Sequence, residues 1–144
     1  MCCCRCKLWI YQPLAFQTIN SGLSWSMVNI DGISAVKNGM LYTVHSTGSG
    51  DDTIFVAGGA NYEVEKPLLV QTLNGGASWS VVSVPNEPLG WYNTVTCTGE
   101  LSTANCTAVG QAGLSPSSPI IAQTRNGGAD WLVVPSSTIV GLPT

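Results

Sequence analysis

The chain has 144 residues, enough for one ordinary core, and only 9% of them are charged, against roughly 25% in a typical soluble domain. Five Lys and Arg stand against eight Asp and Glu, a formal charge of −3, and no basic run supplies the positive stripe that nucleic-acid binding needs to release counterions. No apolar stretch approaches the roughly 18 residues that cross a bilayer as a helix, so neither a membrane span nor a nucleic-acid partner is expected.

Residues 1–12 form an atypical segment in which Cys2, Cys3, Cys4 and Cys6 crowd together. Tetrahedral zinc usually draws its ligands from two separated pairs, and three consecutive thiols cannot easily aim at one ion, so no metal or other cofactor is expected. No apolar run follows Arg5 and Lys7, so the segment does not read as a secretory signal. The expectation is a misassigned start or truncated reading frame, with palmitoylation of an exposed Cys cluster as the alternative.

From residue 13 the chain repeats itself. Gln17-Thr18-Ile19-Asn20-Ser21-Gly22-Leu23-Ser24-Trp25 returns as Gln71-Thr72-Leu73-Asn74-Gly75-Gly76-Ala77-Ser78-Trp79 and as Gln123-Thr124-Arg125-Asn126-Gly127-Gly128-Ala129-Asp130-Trp131. The three Gln stand 54 and 52 residues apart, and a proline precedes each by four residues, at Pro13, Pro67 and Pro119. A period near 50 points to propeller blades.

Each full period holds four β-rich runs. The first two are residues 42–46 and 53–58, matched by 93–97 and 105–110, with Gly58 and Gly110 each nine residues before the proline. The third is 13–18, 67–72 or 119–124, headed by Pro where a missing N–H costs a strand least. The fourth is 25–30, 79–84 or 131–134. The third and fourth runs are apolar at nearly every position, the pattern of strands buried on both faces. Between them Asn20, Asn74 and Asn126 are expected to bond the backbone two residues on. Gly22, Gly76 and Gly128 are expected to hold positive φ, and all three Trp to be buried.

The pattern Thr-x-Asn-x-Gly-x-x-Trp resembles the Asp-box, or bacterial neuraminidase repeat, over roughly residues 13–135. Thr18, Asn20, Gly22 and Trp25 match its defined positions, as do Thr72, Asn74, Gly76 and Trp79, and Thr124, Asn126, Gly128 and Trp131. The resemblance implies a structural β-hairpin in a propeller. The Asn-Gly-Gly turn is most similar to repeats of photosystem II assembly factors and related bacterial proteins of unknown role. The fold expected is all-β, a partial propeller of about two and a half four-stranded antiparallel blades. Residues 13–32 make a half blade, 33–84 and 85–136 full blades, and 137–144 a tail.

Alternating connections put the Asp-box turns at one end, beside the first-to-second hairpins. At the other end lie loops 31–39, 59–66, 85–92 and 111–118, which vary between copies. Variable loops on a rigid scaffold carry function, so Tyr62, Glu63, Glu65, Trp91 and Tyr92 are the candidate binding face, with Lys66 beside them. Cys97 and Cys106 face each other across a hairpin, in position for a disulfide that suits an oxidising compartment. Asn105-Cys106-Thr107 spells a glycosylation sequon, a short match of little weight. His45, the sole histidine, has no evident nucleophile or orienting acid and reads as structural.

Sialidases resemble one another in a three-arginine clamp, a Tyr/Glu nucleophile pair and an Asp acid/base. This chain has two arginines, Arg5 and Arg125, and Arg125 falls in an Asp-box turn. Glu63 and Glu65 are the close carboxylate pair on the candidate face, and neighbours in a short loop usually face solvent. The function expected is therefore a non-catalytic propeller module for protein binding or scaffolding, part of a longer protein of extracellular or periplasmic location. The alternatives are a glycan-binding lectin that oligomerises and a fragment of a sialidase-like hydrolase. Open terminal blades are also expected to favour self-association.

Overall fold

Eleven strands and four short 3-10 turns organise the residues that this computed structural model describes, 10–113 and 118–141, and no α-helix occurs among them. The cysteine cluster at Cys2, Cys3, Cys4 and Cys6 lies outside the described residues, as do 114–117 of the last variable loop. The strands are β1 (Phe16–Gln17), β2 (Ser26–Met27), β3 (Ile30–Asp31), β4 (Gly39–Thr47), β5 (Ile54–Asn61) and β6 (Lys66–Thr72), followed by β7 (Trp79–Val82), β8 (Gly90–Thr98), β9 (Asn105–Ala112), β10 (Pro119–Thr124) and β11 (Leu132–Val133). They form three sheets: β1-β2, then β3-β7-β6-β5-β4, then β11-β10-β9-β8. None closes on itself.

Within each repeat the pairing is antiparallel, as expected, but the middle sheet gains a fifth strand. The run at 25–30 breaks after Met27, and β3 crosses to pair parallel with β7, placing Ile30 opposite Trp79. Crossing buries Ile30 almost completely, which a fourth strand ending in its own sheet would not do. Strand pairing also shifts one expected equivalence. Gly59 lies opposite Leu41 and Gly110 opposite Tyr92, each beside a β-bulge, so Gly110 matches Gly59 rather than Gly58. Gly59 stands eight residues before Pro67 and Gly110 nine before Pro119, an offset that a count back from proline cannot reveal.

Alternation along β5 and β6 divides the core in two. Ile54, Val56 and Leu69 join Val95, Ile120 and Trp131 in the layer shared with the third sheet. Ala57, Leu68 and Val70 join Ile30 and Trp79 in the layer toward the first. Both faces of the middle sheet are thus covered, the physical content of its uniformly apolar strands. The second and third sheets approach most closely at Gly58, where a Cβ would stand 2.9 Å from Val95 Cγ2 and 3.2 Å from Tyr92 Cβ. Edge strands β4 and β8 meet there too: the Cys97 N–H donates to His45 Nδ1 at 3.1 Å, giving His45 a structural role. Cys97 and Cys106, opposite each other on β8 and β9, are disulfide-bonded with Cα atoms 4.1 Å apart.

The nine-residue turn has the same internal bonding three times. The hydroxyls of Thr18, Thr72 and Thr124 donate to Asn20, Asn74 and Asn126 Oδ1 at 3.0, 2.8 and 2.9 Å. The same hydroxyls accept the N–H of Gly22, Gly76 and Gly128 at 2.9, 3.0 and 3.0 Å. The Asn oxygen accepts from the backbone four residues on, at Ser24, Ser78 and Asp130, not two residues on as expected. Its NH₂ meanwhile bonds those same side chains. One asparagine therefore spans the whole turn. Gly22, Gly76 and Gly128 have φ of 89°, 93° and 86°, where a Cβ is penalised.

Two of the three tryptophans are buried, Trp79 at 9% exposure and Trp131 at 3%, but Trp25 is 63% exposed. The reason is directional. Trp79 Nε1 donates to Gln17 Oε1 at 3.4 Å and Trp131 Nε1 to Gln71 Oε1 at 3.0 Å, so each indole is covered by the preceding repeat. No repeat precedes the first among the described residues. Truncating Trp79 or Trp131 to Ala should therefore cost about 3–5 kcal/mol, whereas Trp25→Ala should stay within about 0.5 kcal/mol, as at an exposed site. Asn74→Ala should cost about 1 kcal/mol through lost turn bonds. Denaturant unfolding of dilute protein checks all of them, and equal losses for Trp25 and Trp79 would contradict the directional covering.

Candidate functional site

The end of the sheets opposite the nine-residue turns carries a cleft. Three connections meet there, those after β5, before β8 and after β9, and backbone bonds hold them edge to edge. Gly90 N–H donates to the Glu65 carbonyl at 2.7 Å, and Gly113 N–H to the Leu89 carbonyl at 3.0 Å. Glu65 takes a positive φ of 54°, turning the chain into β6, while Asn61 Oδ1 accepts the Glu63 N–H at 3.1 Å. The enclosed space is about 360 Å³, lined among others by Ala60, Tyr62, Glu65, Leu89 and Trp91. Its lining is mainly apolar, with Asn61 and Glu65 as the polar residues beside Tyr62.

Of the five residues expected on this face, the cleft collects Tyr62, Glu65 and Trp91. Glu63 shares their turn and is exposed but does not line the space. Tyr92 is a correction: it is fully buried in the layer between the second and third sheets. Successive side chains of a strand point to opposite faces, so on β8 Trp91 turns to the cleft while Tyr92 turns to the core. Leu89 escaped notice because a single exposed Leu in a loop carries no periodic signal.

Two polar pairs frame the cleft. Tyr62 and Tyr42 are hydrogen-bonded through their hydroxyls. Burial, with the Tyr62 hydroxyl bond adding to it, raises the Tyr42 pKa above its ordinary value. Beneath the loops the Tyr92 hydroxyl donates to Glu87 Oε1. Burial pushes the Glu87 carboxyl up to about 7, against the opposing pull of the Tyr92 hydrogen bond and the Lys66 charge. Burial and the facing Glu87 carboxylate likewise raise Tyr92 far above the usual phenol range. Glu87 sits in the loop between Pro85 and Pro88, where no periodic pattern marks a residue as buried.

Arg125 lies exposed in the third nine-residue turn, its Nη2 donating to Gln123 Oε1 at 3.5 Å, at the end away from the cleft. Among the described residues no three His, Cys, Asp or Glu side chains stand close enough to hold a metal ion, and no helix is long and apolar enough to cross a membrane. Comparison of the chain with protein-family models, with curated proteins and with solved structures gives no match.

Glu87 makes the fold sensitive to pH. Unfolded, its carboxyl ionises at the ordinary value of 4.5; folded, only near 7. Below the lower value both states are protonated and the group is neutral in its effect. Between the two values the unfolded chain releases a proton that the folded chain keeps, so stability falls as pH rises, and the loss is complete above the folded value. Glu87→Gln keeps an acceptor for Tyr92 and removes the titration. Thermal unfolding across this range should show a downward slope in the wild-type protein that the variant lacks, with the variant more stable at neutral pH. Parallel slopes for the two proteins would remove the assignment.

Proposed function

We propose that this chain is part of a β-propeller built from Asp-box repeats and acts as a non-catalytic scaffold that binds a partner protein in the Tyr62–Trp91 cleft. The propeller reading is supported by the repeat period, the threefold identity of turn bonding, and sheets that stack face to face in chain order with edge strands β4 and β8 side by side. The disulfide supports an extracellular or periplasmic setting.

The convergence of three connections from two sheets on one apolar cleft carries the binding reading. Trp91 and Tyr62 offer large, rigid contact area at little entropic cost, the composition of binding hot spots. The walls suit one apolar side chain of an extended peptide, and the Glu65 carboxylate at the rim favours a Lys or Arg next to it. A sugar ring would stack on the same aromatics, which is what favours a lectin as the second reading. The scarcity of polar lining groups argues against it, because a bound sugar needs several hydroxyl partners. A sialidase-like fragment is disfavoured by the position of Arg125 in a structural turn.

Peptide arrays presenting an apolar residue with and without a flanking Lys, run beside a glycan array and a fluorogenic sialoside, test these readings. Peptides pairing the two features should bind, Trp91→Ala should weaken them at least about tenfold as loss of a hot spot does, and Glu65→Gln should remove the preference for the flanking Lys. Glycan signals without peptide binding would replace the reading with a lectin, and sialoside turnover with an enzyme.

A further inference from the structure

The joint between successive repeats is built twice within this chain, and its two halves occur once more, unjoined among the described residues, in the last and the first repeat. In the second joint Gln71 Oε1 accepts the Trp131 indole N–H at 3.0 Å while Gln71 Nε2 donates to the Gly128 carbonyl at 2.9 Å. The first joint shares the indole bond, Trp79 Nε1 donating to Gln17 Oε1 at 3.4 Å. The close seat of that glutamine is visible at the glycines: a Cβ on Gly76 would stand 2.7 Å from Gln17 Oε1, and one on Gly128 2.8 Å from Gln71 Oε1.

Gln123 is the third such glutamine, and no indole among the described residues meets it. Its amide instead bonds Thr107 Oγ1 at 3.2 Å and accepts Arg125 at 3.5 Å. Trp25 is the third such indole, and no glutamine among the described residues meets it. Its turn glycine, Gly22, has nothing within 4 Å of the place where a Cβ would stand. Around Trp25 the apolar side chains are exposed where their counterparts are buried. Leu14 and Phe16 are each 57% exposed, whereas Leu68 and Val70, which occupy the same places in the next repeat, are 3% and 0% exposed.

The geometry points to head-to-tail association of this chain with a second copy of itself: Gln123 of one molecule takes the Trp25 indole N–H and the Gly22 carbonyl of the next, reproducing the Gln71–Trp131 joint. The occupant is a second copy because the apolar side chains exposed around Trp25 correspond to those that the next repeat buries, and the chain carries a third glutamine of this kind, Gln123, that meets no indole among the described residues. The joint is heterologous, so repetition closes a ring or extends a filament, according to the rotation between copies. This inference does not depend on what the cleft binds.

Sedimentation velocity of the full chain, with free thiols alkylated so that residues 1–12 cannot cross-link, tests it from low micromolar to several hundred micromolar. The wild-type protein should grow in mass with concentration. Trp25→Ala should weaken association about a hundredfold as loss of a central aromatic anchor does, and Gln123→Ala about tenfold through the lost amide bonds. Each variant keeps one intact end. An equimolar mixture of the two should therefore form a two-chain complex at wild-type affinity and no longer chain, while each alone associates weakly. Unchanged circular-dichroism melting confirms that both fold, and if Trp25→Ala does not, Gln123→Ala alone carries the test. A wild-type monomer throughout, variants that associate as the wild type does, or a mixture no stronger than its parts would overturn the proposal.

Discussion

The hydrogen bond from a buried indole to a glutamine of the preceding repeat is the interaction on which the rest of the structure depends. Burying an indole removes a large apolar area from water, but its N–H must find a partner or the gain is eroded. No repeat here supplies that partner for its own Trp. Trp79 depends on Gln17 and Trp131 on Gln71, so folding of each repeat is coupled to the one before it. Stability then takes the nearest-neighbour form of repeat proteins, in which interfaces matter as much as units. Ile30 and Val84 extend the same coupling. Each lies five residues after its Trp, Ile30 in the cluster with Trp79 and Val84 in the layer shared with the third sheet.

That coupling explains which residues of the turn are fixed and which are free. The second glycine serves twice, once for its positive φ and once for the close approach of the glutamine. The first is needed only where a hairpin of the same repeat tucks against it. Gly75 N–H donates to the Thr53 carbonyl at 2.9 Å and Gly127 N–H to that of Ala104 at 3.0 Å, and a Cβ on Gly75 would stand 2.9 Å from the Gly50 carbonyl oxygen. The first copy has no such hairpin among the described residues, and there Ser21 holds φ 57°, a left-handed geometry that a small polar residue tolerates at modest cost.

The two ends of the sheets therefore differ in kind. At the turn end the repeated Thr and Asn side chains are bonded inside the turn, and Gln17 and Gln71 to the following repeat, which leaves those groups little to offer a ligand. At the loop end the connections differ between repeats, an acid and two tyrosines lie partly desolvated, and apolar walls stand open. Rigidity at one end holds the other in place, the division of labour expected when variable loops are mounted on a fixed scaffold.

Much of this was legible in the sequence because it is local. Thr, Asn and Gly at fixed offsets determine the turn, since the atoms that bond lie within four residues of each other. Strand positions, the positive-φ glycines and the opposition of Cys97 and Cys106 follow from period and alternation. What only the tertiary structure decided involves partners far apart in the chain. Trp25 has the same local sequence as Trp79 yet the opposite exposure, because burial is conferred by a neighbouring repeat and not by the turn. Tyr92 and Trp91 are adjacent letters in one loop, and only the register of β8 sends one to the core and the other to the cleft. The crossing of β3, the one-residue offset of Gly59 and the desolvation of Glu87 likewise depend on which surface packs against which, and a one-dimensional pattern does not contain that.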